Sequence, residues 1–210
     1  MNDFSPTEIH FARFFSILFH PLLVPVLGFS CLLFFPGHPA IMLPTSYKWL
    51  LIALIFISTA VIPGLVIRIM KWLHIAFPSE LVGQNREGFS FIVVLICYYF
   101  TYKLLQRLGL DGYITSLLMG FTATLFILTL TRLQWNISLH AAAAGSLFSA
   151  LASFTFANTL YEGFLLLPLL LICGIVASSR LILHKNSPAQ VYAGLLTGIM
   201  VNPVLYFLLT

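Results

Sequence analysis

Three short polar segments interrupt long apolar runs, and they carry the residue types that could do chemistry. They are Gln84–Glu87, Asn136–His140 and Ser178–Gln190. Ionisable groups beside membrane helices are costly, and so they are the first candidates for a functional role. These segments bring arginine, histidine, hydroxyl and amide groups together with the starts of helices. Guanidinium forks and helix amino ends are suited to binding phosphate, which makes an anion site the chemistry to expect.

The composition places these segments in a membrane protein. Of the 210 residues, 60% are apolar and 8% are charged, with a mean hydropathy of +1.02. Soluble proteins have about 25% charged residues. The ten Lys and Arg residues give a net charge of +4 but are scattered, so nucleic-acid binding is not supported. Carboxylates and histidines lack the spacing of a metal cage, and we expect neither a metal nor another cofactor.

Seven apolar runs are long enough to cross a bilayer as helices, since a span takes about 20 residues. They cover residues of about 14–35, 48–70, 88–106, 112–132, 139–157, 163–183 and 189–209. No soluble domain fits between them, so the sequence predicts one polytopic membrane domain over 1–210. An even number of spans separates each of the three polar segments from the next. The sequence therefore predicts that all three segments reach the same membrane face.

The distribution of basic residues predicts the orientation. Seven lie on the side of the amino terminus: Arg13, Arg68, Lys71, Arg86, Arg132, Arg180 and Lys185. Three lie on the other side: Lys48, Lys103 and Arg107. Cytoplasmic loops carry the excess of Lys and Arg, so the amino terminus is predicted to be cytoplasmic.

Small residues and prolines within the runs favour packing roles. Gly194 and Gly198 form a small-xxx-small pair that lets two helices approach closely. His20-Pro21, Pro63 and Pro203 predict kinks packed against neighbouring helices.

The last polar segment resembles the third motif of the type 2 phosphatidic acid phosphatases. These integral membrane enzymes remove phosphate from lipid phosphates without a metal. Their motif runs Ser-Arg, five residues, His, three residues, Asp, often with Pro two before the Asp and Gly four after it. In this chain Ser179, Arg180, Pro188 and Gly194 fall in register without a gap.

The other two motifs of the family are matched more sparsely. Its Pro-Ser-Gly-His motif is met at Ser138 and His140, and Arg86 is the residue that could serve as the arginine of its first motif. The opening His20-Pro-Leu-Leu-Val-Pro25 resembles short members from Bacteroidetes-type bacteria. The resemblance implies an all-α membrane bundle in the bacterial inner membrane and a phosphorylated lipid as ligand.

The resemblance also implies roles for single residues. The family's attacking histidine and its orienting aspartate are replaced here by Asn186 and Gln190, and neither amide can act as nucleophile or anionic partner. His140 would remain as general acid. The displaced His184 is an alternative nucleophile. Phosphate oxygens would be bound by Arg180, Ser138, Ser179 and Arg86.

Three functions remain open. The site could bind a phosphorylated lipid without hydrolysis, alone or in a subunit of a membrane complex. Alternatively, the protein is an active metal-free phosphatase of a phosphatidate or polyprenyl phosphate type of lipid. A transporter is the least favoured, because it needs several polar groups at mid-membrane depth and these spans offer few.

Overall fold

The computed structural model describes residues 4–34, 42–72, 88–110, 112–131, 134–157 and 166–209. Within these ranges the protein is all-helical and has eight helices. The helices are α1 Pro6–Leu18, α2 Val24–Phe34, α3 Thr45–Trp72, α4 Gly88–Arg107, α5 Gly112–Thr131, α6 Leu139–Ala157, α7 Leu166–Ile182 and α8 Pro188–Leu209. This confirms the all-α fold class.

Three stretches of helix are long and apolar enough to cross a membrane: Thr45–Trp72, Ile114–Thr131 and Leu139–Phe156. Two shorter helices, α2 and α7, are also apolar. Helices of this length and hydropathy are typical of a membrane protein. The full number of seven crossings stays a prediction.

Six of the seven predicted runs coincide with described helices to within a few residues, but the first does not form one helix. The run at 14–35 is divided, because α1 ends at Leu18 and α2 begins at Val24. Pro21 has no amide hydrogen to donate and disfavours helical geometry at His20. Pro25 lies in the first turn of α2, where a missing donor costs little. The proline pair thus separates two helices instead of kinking one.

The chain divides into two compact units, and each has its own packed core. The terminal unit consists of Met1–Val24 and Asn136–Thr210, and the central unit of Pro25–Trp135. The single domain over 1–210 stays a prediction. In the central unit, α3 is continuous through a π-helical segment at Ile57–Val61, and α4 packs against α5.

In the terminal unit, α6 and α8 make the most extensive helix contact, and glycines allow it. A methyl group at Gly198 would collide with the Ala142 carbonyl and lie 2.7 Å from the Ser146 nitrogen. One at Gly194 would collide with the Ser138 carbonyl. The close approach predicted from the small-residue pair is confirmed.

A buried hydrogen-bond network joins the same two helices. The Asn202 amide donates to the Ser146 carbonyl at 3.1 Å, and to the hydroxyls of Ser146 at 2.8 Å and Ser149 at 3.1 Å. The Ser149 hydroxyl in turn donates to the Gly198 carbonyl at 2.9 Å. These bonds hold the register of α6 against α8, and this register places the ends of both helices.

Candidate anion-binding site

The candidate site lies at one end of the terminal unit, called the site end below. Here α6 begins at Leu139, α7 ends at Ile182 and α8 begins at Pro188. The Ser138 nitrogen donates to the Gln190 carbonyl at 3.1 Å, which ties the start of α6 to the first turn of α8. His140 and Arg180 therefore lie at the same end, as the count of spans predicts.

Arg180 is the central residue of the site, and hydrogen bonds hold its side chain in place. It is half-buried in the last turn of α7. Its Nε donates to Asn186 Oδ1 at 3.0 Å, and its Nη1 donates to Ser16 Oγ at 3.1 Å. A guanidinium is planar and always charged, so two bonds on different nitrogens fix its orientation and leave further N–H donors for an anion.

Two histidines lie beside this arginine. The His20 and His140 rings are 5.3 Å apart between centroids and perpendicular, at 89°. The backbone of Ser16, whose hydroxyl accepts from Arg180, also lies beside the His140 side chain. The Nδ1 of His20 accepts from the Leu22 amide at 3.3 Å, which leaves its proton on Nε2.

His20 and Ser16 belong to the site but are not among the residues predicted from the sequence. Both come from the amino-terminal segment, and α1 packs against α7 to bring them there. In the sequence, His20 marks only the residue before a proline that predicts a kink. The signal that could have identified it is a histidine within an apolar run, since a costly residue of this kind is a candidate for function.

A cleft of about 460 Å³ opens between α1 and the end of α7. Its lining residues are Ile9, Arg13, Ser16, Ile17, Arg180, Ile182, Leu183, His184 and Lys185. The lining contains three cations and no carboxylate. Glu8 is the one carboxylate in the described ranges, and it bonds to Ser5 in the cap of α1. The cleft is therefore basic, and its walls are partly apolar.

His184 lines this cleft but also terminates α7. Its φ is +50°, and its amide donates to the Leu181 carbonyl at 2.9 Å. The next amide, of Lys185, donates to the Arg180 carbonyl at 3.2 Å. This pair of bonds is the Schellman arrangement that ends many helices, in which glycine usually takes the left-handed position. The His184 ring contacts the Phe4 ring in a tilted arrangement, with 6.0 Å between centroids.

The two amides at the positions of the family's catalytic pair both have structural partners. Asn186 accepts from Arg180, and Gln190 Oε1 accepts from the Ser187 amide at 2.9 Å. The backbone N–H of Gln190 donates in return to Ser187 Oγ at 3.4 Å. This reciprocal pair is a capping box, which satisfies two of the open donors at the start of α8.

The remaining predicted phosphate ligands differ in position. Ser179 is buried, and its hydroxyl donates to the Ile175 carbonyl of its own helix at 2.7 Å, so it does not line the cleft. Ser138 is 1% exposed, and its hydroxyl has no hydrogen-bond partner within the described residues. Arg86 lies outside the described residues. Within the described ranges, no three Cys, His, Asp or Glu side chains lie close enough together to hold a metal ion.

Comparisons with protein-family models, curated proteins and solved structures find no match to this chain. The resemblance to the lipid phosphate phosphatases therefore stays a prediction from the motifs.

Proposed function

We propose that this protein binds a phosphorylated lipid through the basic cleft at the site end, without hydrolysing it. The observation that carries the proposal is the lining of the cleft. Arg13, Arg180 and Lys185 supply positive charge, the described lining residues include no carboxylate, and apolar side chains lie among the cations. A ligand that matches both features is an anion on an apolar chain.

The fixed orientation of the Arg180 guanidinium supports a role in binding phosphate. Its guanidinium is oriented by Ser16 and Asn186 before any ligand arrives. Preorganised donors lose little entropy on binding, and charge-assisted bonds to phosphate are about twice as strong as neutral ones. Asn186 thus acts as a positioning residue for the arginine.

The same contacts favour binding over catalysis. An amide at position 186 accepts a bond from Arg180, and an amide at position 190 caps α8. Neither group has a lone pair nucleophilic enough to attack phosphorus at neutral pH. His140, the proposed general acid, would have no attacking partner to serve.

The proposal includes the membrane location and the orientation of the protein. We propose seven membrane crossings in a bacterial inner membrane, with the amino terminus in the cytoplasm. The site end would then face the cytoplasm. The lipid-bound protein would act alone or as a subunit of a membrane complex.

One observation supports the active phosphatase as a second candidate. His184 lines the same cleft as Arg180, so a histidine and a phosphate-binding arginine do share one cavity. Its left-handed backbone and its ring contact with Phe4 give it a helix-ending role as well.

Binding is tested with purified protein in detergent and short-chain dioctanoyl phosphatidic acid. Dioctanoyl phosphatidylcholine and inorganic phosphate serve as comparison ligands. Losing charged hydrogen bonds costs about 1.5–3 kcal/mol, so Arg180→Ala should weaken phosphatidic acid binding roughly 10- to 100-fold. Arg107→Ala removes an exposed arginine of the central unit and should leave the Kd unchanged.

Three results would contradict the proposal. Equal affinity of wild type and Arg180→Ala would favour a purely structural protein. Equal affinity for phosphate and for phosphatidic acid would show a site for a free anion. Release of phosphate by the wild type, abolished in His184→Ala, would establish the second candidate.

A further inference from the structure

The amino-terminal helix α1 is shorter than α6, α7 and α8 of the terminal unit, and it exposes large apolar side chains. It has 13 residues, which span about 20 Å, whereas the hydrocarbon core is about 30 Å thick. Its first turn is closed by a capping box between Ser5 and Glu8, two groups suited to water. Its last two turns expose Phe11 by 67%, Phe14 by 60% and Ile17 by 62%.

Contacts at both ends of α1 show its direction. Before the helix, Phe4 contacts His184, which lies two residues beyond the end of α7. After the helix, His20 contacts His140, the second residue of α6. Both contacts are at the site end. A helix that crossed the membrane from this end would move away from it by about 1.5 Å per residue, so α1 extends across the site end instead.

The two sides of α1 meet different surroundings. Ala12 and Ser16 are buried, and Ser16 bonds to Arg180. Phe11, Phe14 and Leu18 recur at intervals of three and four residues, and they form the opposite, exposed side. This spacing puts them on one face of a helix.

We infer that α1 is an interfacial helix, which lies in the plane of the membrane with Phe11, Phe14 and Leu18 in the lipid. The inference rests on the membrane character of the helices and on the contacts above, and it stands whether or not the cleft binds a phosphorylated lipid. The candidate span Leu139–Phe156 begins at the site end, so the exposed face of α1 lies at the level where lipid begins. An amphipathic helix in this position buries its apolar face at the boundary of headgroups and acyl chains.

The basic residues next to this face fit the same partner. Arg13 lies on α1 between the buried and the exposed sides and lines the cleft with Lys185. Long basic side chains at this level reach the phosphates of lipid headgroups. The cleft then opens beside the headgroups.

Spin labels on single cysteines test the inference with the full chain in phosphatidylcholine–phosphatidylglycerol vesicles. Cys31, Cys97 and Cys173 are first replaced by alanine, and this variant is required to keep the thermal stability of the wild type. Labels are then placed at each position from Ile9 to Leu18, and their depth is measured from relaxation by oxygen and by a water-soluble nickel chelate. A label at Phe126, an exposed residue of α5, gives the reference for the hydrocarbon interior.

The expected depth profile oscillates with a period of about 3.6 residues and has no slope along the helix. Labels at Phe11, Phe14 and Leu18 should share one shallow depth, shallower than the label at Phe126. A depth that increases steadily from Ile9 to Leu18 would show a membrane-crossing helix and overturn the inference. Free access of the nickel chelate to Phe14 would overturn it as well, and so would spin–spin broadening at Phe14, which indicates a second copy.

Discussion

Two kinds of side-chain hydrogen bond can be compared between the central and terminal units, which are built from similarly apolar helices. In the central unit, the hydroxyls of Thr122 and Thr129 donate to carbonyls one turn earlier in the same helix, each at 2.7 Å. In the terminal unit, bonds of a second kind join different elements. Asn202 of α8 donates to α6, and Arg180 of α7 donates to Ser16 of α1.

The two kinds of bond constrain a helix differently. A hydroxyl satisfied within its own helix can face lipid in any orientation of that helix. A bond to another element fixes a distance and a rotation. Such bonds in the terminal unit join the elements that meet at the site end, where the basic cleft lies.

The largest expected effect comes from the close approach of α6 and α8. Gly198→Ala puts a methyl group against two backbone groups, and overpacking of this kind costs about 1–3 kcal/mol. Gly174→Ala is the matched control, since its methyl group would meet open space and alanine favours the helix by about 0.5–1 kcal/mol. The Tm, measured by thermal unfolding in one detergent, should be lower than that of the wild type for the first variant and not for the second. Equal shifts would mean that the contact is not tight.

The next effect concerns charge at the site. Asn186→Asp places a carboxylate where an amide now accepts from Arg180 at 3.0 Å. The resulting ion pair competes with a bound phosphate, so affinity for dioctanoyl phosphatidic acid should fall roughly tenfold, or about 1.4 kcal/mol. Gln134→Glu adds the same charge at an exposed position of the central unit and should leave the Kd unchanged. Tighter binding in Asn186→Asp would exclude Arg180 as the anion ligand.

The third effect compares the two kinds of polar bond directly. Asn202→Ala removes three bonds between α8 and α6, whereas Thr122→Val removes one bond within α5. Interhelical bonds in membranes contribute about 0.6 kcal/mol on average and up to about 1.7. We expect a loss of about 1–2 kcal/mol for the first variant and less than about 0.5 for the second, measured by unfolding in mixed micelles. The reverse order would contradict the contrast between the units.

The fourth effect uses a feature that both units share. Gly109, two residues beyond the end of α4, has a φ of +66°, and His184, two residues beyond the end of α7, has a φ of +50°. A left-handed backbone costs a residue other than glycine about 1–2 kcal/mol. His184→Gly should therefore stabilise the protein by up to about 1 kcal/mol, and Gly109→His should destabilise it similarly. Loss of lipid binding in His184→Gly would instead assign the ring to the ligand.

The smallest expected effect is on catalysis. Asn186→His with Gln190→Asp recreates the attacking pair of the resembled family, with His140 left to protonate the leaving group. The new carboxylate at position 190 would lie in the first turn of α8, where a negative charge is favourable. The double variant should release phosphate slowly from dioctanoyl phosphatidic acid, above the wild type. Equal release by both proteins would show that more than the attacking pair is missing.

Much of the architecture follows from local sequence. Hydropathy predicts where helices lie because a span must be apolar over about 20 residues, and six of seven runs match described helices. Counting spans also predicts that His140 and Arg180 share one end, since each crossing changes sides. Gly194 and Gly198 are four residues apart, which puts both on one face of a helix and predicts a close helix contact.

Tertiary structure decided how the site is made. Arg180 bonds to Ser16, a residue 164 positions away, and nothing in the local sequence around either residue indicates this contact. The pairing of His20 with His140 likewise needs α1 to pack against α7. Asn186 and Gln190 are recognisable from the sequence as lacking reactive groups, but only the fold gives them partners. Sequence periodicity determines which residues face one side of a helix, whereas packing between distant elements determines what that side meets.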